Sequence, residues 1–325
     1  MSRAVLVTGG AGYVGSHTCK ALAIGGYEPI TYDNLDRGHR ELVKWGPLEE
    51  GDLVDRRRLD EVLKRYRPVA VMHFAALTYV AESVEQPDLY RRVNVEGSRM
   101  LLQAMADAGV RRIVFSSSAA IYGNPHGVPI TEEHPKRPVN PYGQTKLDME
   151  REIERWARDT AGKGVIFRYF NAAGADPEGE TGEWHEPETH LIPLALAAAA
   201  GDLHELTIYG SDYDTPDGTC IRDYIHVTDL ADAHLLGLEH SLGSGAVEAF
   251  NLGTGTGFSV DEVVRVTAEV TGRPVPHRHG PRRPGDPSRL VADASLATRT
   301  LGWSPRLSAL PDIVRTAWQW HQRRK

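Results

Sequence analysis

The sequence predicts an α/β fold, a doubly wound parallel sheet followed by a smaller α/β C-terminal region. Three observations carry this. The first half alternates short apolar runs with helix-like segments, a rhythm that places helices on both faces of a parallel sheet. The first apolar run, Ala4-Val5-Leu6-Val7, leads straight into Gly9-Gly10-Ala11-Gly12-Tyr13-Val14-Gly15 and then a helix-like stretch. After Asn171 the texture changes to a segment rich in Gly, Pro and acid, residues 174–187. A chain of 325 residues is long enough for two domains.

The expected strands are residues 4–8, 28–32, 70–73, 112–116 and 164–168. The expected helices are residues 12–25, 56–66, 87–109, 141–161 and 191–200. A further helix is expected at 223–238, capped by Thr228 or Asp229. The first domain is placed at residues 1–172, with a return segment near 223–250, and the second at 173–325. The sequence shows no internal repeat and no low-complexity tract.

Strand, glycine turn and helix are the context of a Rossmann dinucleotide fingerprint. Gly10, Gly12 and Gly15 fit one spacing of it, and Gly9, Gly12 and Gly15 a related one. Missing side chains let backbone N–H groups approach a pyrophosphate at the helix N-terminus, where the dipole favours anions. Asp33 ends the second strand, at the distance expected of an acid that accepts from both ribose hydroxyls. Its charge would repel a 2′-phosphate, so NAD is favoured over NADP. Arg37, nearby in sequence, keeps NADP open; the alternative for it is a solvated loop cation. Asp52 and Leu53 read as the acid and apolar pair flanking an adenine, with helix N-cap as the alternative for Asp52.

Composition is that of a globular protein, 41% hydrophobic and 25% charged. The net charge of −7 argues against nucleic acid as a partner. Cys19 and Cys220 lie far apart, with no metal-ligand spacing, and are expected as buried thiols; no metal site is expected. The longest apolar run, residues 191–200, is too short to cross a bilayer. No secretory signal is visible, so the cytoplasm is the expected location.

Tyr142 and Lys146 stand four residues apart, one helical turn, and so share a face. A phenol, with a pKa of about 10, is a poor base at neutral pH. A neighbouring ammonium favours the phenolate. Such a pair can take a proton from a sugar or alcohol hydroxyl while a bound nicotinamide takes the hydride. Any helix can carry a tyrosine and a lysine at this spacing, and a packed aromatic beside a solvated cation is the bland alternative. The glycine turn upstream favours the chemical reading. Ser118 follows a strand end and can hydrogen-bond the hydroxyl that loses its proton, the alternative being plain loop chemistry.

Further segments carry a resemblance. They are Thr8-Gly9-Gly10-Ala11-Gly12-Tyr13-Val14-Gly15-Ser16-His17, Tyr32-Asp33-Asn34-Leu35, His73-Phe74-Ala75-Ala76-Leu77, the run 115–123 through Ser116 and Ser118, and Arg168-Tyr169-Phe170-Asn171. In the second half they are residues 217–227 and Arg282-Arg283-Pro284-Gly285-Asp286. On these residues nearly the whole chain resembles the extended short-chain dehydrogenase/reductases and, within them, the UDP-glucose 4-epimerase family.

The resemblance implies interconversion of UDP-glucose and UDP-galactose by inversion at C4 through a transient 4-keto sugar, with tightly bound NAD as hydride carrier. It implies Ser118, Tyr142 and Lys146 as catalytic residues. On the cofactor side it implies Gly9, Gly12, Tyr13, Val14, Gly15, Asp33, Asn34, Asp52, Leu53, Phe74, Ala75, Ala76, Asn94, Ser116 and Tyr169, besides Tyr142 and Lys146. Around a UDP-hexose it implies Asn171, His190, Leu191, Thr207, Ile208, Tyr209, Arg222, Val260, Arg283 and Asp286, besides Ser118 and Tyr142. The arginines suit the chemistry, since a guanidinium binds a diphosphate bidentately. Tyr224 and His226 are expected to pack rather than react. A homodimer is implied through the helices 87–109 and 141–161, with Leu101, Leu102, Met105, Leu147, Ile153 and Trp156 as the apolar residues at hand.

Ala119 and Ala120 stand where related dehydratases carry an acid pair, and a related decarboxylase would carry a glutamate there, so both reactions are disfavoured. A simple dehydrogenase exchanging cofactor each cycle is less firmly excluded. A non-catalytic NAD-sensing protein of the same fold is the alternative from a different class. Three positions depart from the resemblance. Thr78 replaces a lysine that helps hold cofactor. His190 replaces an asparagine and either donates to a phosphate or hydroxyl or caps the next helix. Leu290 stands at the position that gates the C2 substituent, which leaves N-acetylated hexosamines open; a TDP-hexose fits the same frame.

Overall fold

The computed structural model describes residues 3–243, 246–283 and 286–324. Its centre is a seven-stranded, wholly parallel sheet. Six strands come from the first half: β1 (Ala4–Thr8), β2 (Glu28–Asp33), β3 (Leu48–Glu50), β4 (Ala70–His73), β5 (Arg112–Ser118) and β6 (Lys163–Tyr169). The seventh, Val247–Leu252, pairs with β6 in a register that sets Val247 beside Gly164 and Leu252 beside Tyr169. The order across the sheet is Val247–Leu252, β6, β5, β4, β1, β2, β3. Chain direction of travel reverses between β1 and β4, which opens a crevice at their carboxyl ends.

Side chains alternate across each strand and sort the core into two layers. Leu6, Ile30, Ile113, Phe115 and Ile166 face one side, with Leu59, Leu63, Leu101, Met105, Ile153 and Trp156 packed on them. Val5, Val7, Met72, Val114 and Phe167 face the other, against Leu22, Leu230, Leu238 and Phe250. Burying both faces of the strands requires the near-continuous apolar runs seen in the sequence.

The helices that matter for the site follow in chain order: α1 (Tyr13–Ile24), α2 (Arg56–Tyr66), α3 (Val80–Glu85), α4 (Pro87–Tyr90), α5 (Gly97–Asp107), α6 (Pro141–Thr160), α7 (Leu191–Ala200) and α8 (Val227–Gly243). The second half adds three small sheets and a separate core, in which Ile192, Leu196, Val263, Ile313 and Val314 are buried. No helix among the described residues is long and apolar enough to cross a membrane.

Several expectations are corrected. The helix expected at 87–109 is interrupted by a π-helical stretch, Arg91–Glu96, and is preceded by the unforeseen α3. Residues 224–226 form a short strand, so the helix expected from 223 begins at Val227. Asp229 does not cap it. Its carboxylate accepts from the backbone N–H groups of Arg306 and Leu307, both at 2.9 Å, and from the Ser308 hydroxyl at 2.6 Å. The helix at 56–66 is capped by Asp55, not Asp52. The apolar residues at hand on those helices, Leu101, Leu102, Met105, Leu147, Ile153 and Trp156, are all buried within the chain itself.

Candidate active site

One cavity of about 1710 Å³ runs along the carboxyl ends of the central strands and into the second half. Single small molecules take sites of about 300–1,000 Å³, so this one has room for two ligands side by side.

At one end lies the glycine turn. A Cβ on Gly15 would stand 2.2 Å from the Gly9 carbonyl oxygen, so only glycine lets α1 start against the turn. Gly12 differs. Its φ of −89° suits any residue, and a Cβ there would meet only the Gly9 carbonyl at 3.3 Å. Gly12 lines the cavity, no side chain caps α1, and the helix N-terminus opens on that space. An anionic diphosphate fits this cradle, which a side chain at Gly12 would enter. Asp33 fixes the turn, its carboxylate accepting from the N–H groups of Ala11 at 3.0 Å and Leu35 at 2.9 Å. Burial pushes this carboxyl up, against the opposing effect of those two hydrogen bonds. Asn34 donates to Asp52 at 2.9 Å. Arg37 is engaged by Glu82 at 2.8 Å and lies over the Tyr79 ring, so it stands neither free nor simply solvated.

In the middle, Asn140 caps α6 by accepting from Gly143 N–H at 2.8 Å, and Pro141 takes the first turn. That cap puts Tyr142 at the very start of the helix. A Cβ on Gly143 would lie 2.5 Å from the Ala120 carbonyl, so glycine here brings α6 against the turn that carries Ser118. Burial drives the Tyr142 phenol above its ordinary pKa, while its hydrogen bond with Ser118 acts the other way. Lys146 is buried; desolvation lowers it to about 7 despite the opposing Glu150 carboxylate. Its Nζ donates to the Ser116 carbonyl at 2.9 Å and lies 5.9 Å from the Tyr142 ring centroid. The phenol lowered by its lysine neighbour is therefore not what the protein alone presents, because the cation itself is desolvated and spends its hydrogen bond on β5. Ser116 and Tyr169 share a short hydroxyl contact on the same wall.

At the far end, Arg222 pairs with Asp286 at 2.5 Å, and the Arg283 guanidinium stacks over Tyr209 at 4.2 Å from the ring centroid. Asn171, Leu191, Thr207, Ile208, Val260 and the departures Thr78 and Leu290 line the same space. Within the arginine motif, Pro284 and Gly285 lie outside the described residues. His190 precedes α7 but makes no side-chain cap. It pairs instead with Glu183 and Glu188, both at 2.9 Å. Burial alone would lower its imidazole; the two carboxylates outweigh that and push it up to about 10.

All the sequence-based site residues line this cavity except Asn94. Asn94 is fully buried, accepts from Leu77 N–H at 2.8 Å and donates to the Leu77 carbonyl and to Thr145. It holds the loop after β4 onto α6 rather than facing the cavity. Sequence reasoning missed the Glu150–Arg168 pair behind the site, at 2.8 Å with both side chains almost fully buried. It also missed the carboxylates around His190; the spacing Glu183, His185, Glu188, His190 was the available signal.

A cavity that offers a helix N-terminus to a diphosphate at one end, guanidinium groups at the other and a half-buried phenol on its wall is the layout of a dinucleotide-binding enzyme of the doubly wound class. The chain belongs to the NAD dependent epimerase/dehydratase family, whose model matches residues 5–253. A UDP-glucose 4-epimerase of Rhizobium leguminosarum bv. trifolii is 52% identical over 317 residues, 98% of this chain and 97% of its own. The crystal structure of UDP-glucose 4-epimerase from Brucella ovis in complex with NAD superposes with a TM-score of 0.95 at 52% identity, over 97% of each chain. That of the Bifidobacterium longum UDP-glucose 4-epimerase in complex with NAD+ and UDP does so with a TM-score of 0.94 at 39% identity, over 98% of each.

Proposed function

We propose that the protein interconverts UDP-glucose and UDP-galactose by inverting the configuration at C4 of the hexose. The observation that carries this is that Tyr142 and Ser118 line one continuous cavity together with the glycine turn and with Arg222 and Arg283. NAD, held by the glycine turn and Asp33, supplies the hydride acceptor and returns the hydride to the same carbon. The protein's own part is proton transfer and positioning. Tyr142 exchanges the proton of the 4-hydroxyl, and Ser118 orients that oxygen beside it. Arg222 and Arg283 anchor the diphosphate, so that binding energy sits on the nucleotide while the keto sugar turns over. Asp286 accepts from the ribose or base once Arg222 turns to phosphate.

The two-part organisation belongs to the same proposal, residues 1–172 with the return near 223–250 serving the cofactor and the rest the nucleotide sugar. So does a homodimer paired through α5 and α6. Their outer faces carry Arg99, Glu152 and Arg155 in ion pairs, which makes that contact polar. A cytoplasmic location fits two buried, unpaired thiols.

The test is incubation of the purified protein with UDP-galactose and no added cofactor, followed by NMR. Appearance of UDP-glucose supports the proposal together with retained NAD. Absence of the 4-epimer even with NAD added, or an unchanged rate in Tyr142→Phe, overturns it.

A further inference from the structure

On the cavity wall, four side chains of one short segment converge: Glu183, His185, Glu188 and His190, of which all but Glu188 line the cavity. One ligand atom from each lies within 4.8 Å of all the others. His185 Nδ1 is 3.2 Å from Glu183 Oε1 and 3.7 Å from Glu188 Oε2. His190 Nδ1 is 2.9 Å from an oxygen of each carboxylate. We propose that these four residues form a site for a divalent metal ion of the zinc class, bound through two imidazole nitrogens and two carboxylate oxygens.

The geometry and the ligand chemistry agree. Zinc–nitrogen and zinc–oxygen bonds of about 2.0–2.2 Å in a tetrahedron separate the ligand atoms by roughly 3.3–3.5 Å. The imidazole-to-carboxylate distances, 2.9–3.7 Å, lie around that spacing, with Glu188 facing His190 through Oε1 and His185 through Oε2. Imidazole with carboxylate selects zinc or cobalt over magnesium or calcium, which prefer oxygen alone. Charge also balances. Two carboxylates neutralise one divalent ion bound with two neutral imidazoles.

Backbone groups and neighbouring rings also hold the ligands. The Glu188 oxygen near His190 also accepts from the N–H groups of Thr189 at 2.7 Å and His190 at 2.8 Å. The Glu183 carbonyl accepts from the Trp320 indole at 2.8 Å. His185 packs edge-on against both Tyr13 and Tyr79. Such outer contacts orient ligands for a metal. A second acidic group, Asp176, Glu178 and Glu180, lacks this character because Lys20 already lies among its carboxylates. His190 leads into α7, and Tyr13 starts α1, so a bound ion would tie the segment across both ends of the cavity. Ligation through His190 Nδ1 leaves the other ring nitrogen for a substrate oxygen.

The experiment is titration of the chelator-treated full-length protein with cobalt(II), read by its visible absorption. The expected result is one cobalt per chain with the intense bands of a tetrahedral site, displaced by one equivalent of zinc(II). His185→Ala and Glu188→Gln, each shown by circular dichroism to be folded, should weaken binding at least about tenfold. His277→Ala, remote from the cluster, should leave it unchanged. Failure of cobalt to give these bands overturns the proposal, as does binding that survives both His185→Ala and Glu188→Gln. Either outcome is independent of whether the protein epimerises a sugar.

Discussion

Lys146 donates to the backbone carbonyl of Ser116 at 2.9 Å, so the α6 cation is moored to the end of β5 rather than to the Tyr142 oxygen. The half-buried phenol and the buried ammonium are both pushed toward their neutral forms, Tyr142 upward and Lys146 down to about 7. Desolvation thus opposes the charge separation that the chemistry needs, and the lysine reaches the tyrosine only across the face of its ring.

This mooring has a consequence for stability. An unfolded lysine titrates near the ordinary value of 10.5, whereas Lys146 in the fold titrates near 7. Between those values the unfolded chain holds one proton more, so the Lys146 contribution makes stability rise with pH from about 7 to about 10.5, and the full penalty applies below 7. Urea unfolding at pH 6 and pH 9 should show wild type gaining at least about 1 kcal/mol more over this interval than Lys146→Met. Equal gains in the two proteins would contradict it.

The two glycines of the turn should separate folding from binding. Gly15→Ala drives a methyl into the Gly9 carbonyl and is expected to cost roughly 1–3 kcal/mol of stability without any ligand. Gly12→Ala keeps an allowed backbone and should stay within about 1 kcal/mol of wild type. Its dinucleotide affinity should nonetheless fall at least about tenfold, because the methyl enters the cradle. Calorimetric melting and NAD titration distinguish the two effects; equal losses in both assays for both variants would refute the distinction.

Behind the site, Glu150 accepts from Arg168 at 2.8 Å and from the Ser117 hydroxyl at 2.6 Å, and Arg168 also donates to the Tyr122 hydroxyl at 3.1 Å. Glu150→Gln leaves a buried guanidinium without its counter-ion and is expected to cost about 3–5 kcal/mol in urea unfolding. A loss below about 1 kcal/mol would show that the pair is not what fixes α6 to β5 and β6.

Arg222 lies against Asp286, and the proposed diphosphate must draw it away. Arg222→Met should raise KM for UDP-galactose at least about tenfold, by losing a charge-assisted contact to the diphosphate. Asp286→Asn frees the guanidinium and should affect KM less. A KM unchanged in Arg222→Met would remove this residue from the substrate site.

Most of the fold was legible because burial on both faces of a parallel sheet writes itself as apolar runs, and β1, β4 and α2 lie where those runs predict. The three-residue β3 was not legible, since Leu48-Glu49-Glu50 carries no apolar run and takes its strand from pairing with β2. Local pattern also failed at Arg91–Glu96, where the widened helix carries Asn94 inward against the loop at Leu77. For the site, the glycines, Asp33 and Tyr142 announce themselves by spacing. The Glu150–Arg168 pair does not, because its members lie on separate elements and only packing of α6 on β6 brings them together. The surroundings of the Tyr142–Lys146 pair were illegible for a related reason. Sequence spacing gives the distance between two groups along a helix but not the loss of water around both.

The strand Val247–Leu252 closes the outer side of β6, and it leaves the ribosome long after its partner. A nascent chain that has emerged only through α6 and β6 therefore carries an open hydrogen-bonding edge, with Ile166 and Phe167 on a strand still missing its neighbour. Such an edge invites pairing with other chains. Synthesis of this protein must pass through that vulnerable interval, and a fragment ending near residue 172 would be trapped in it, prone to aggregate rather than to bind nucleotide.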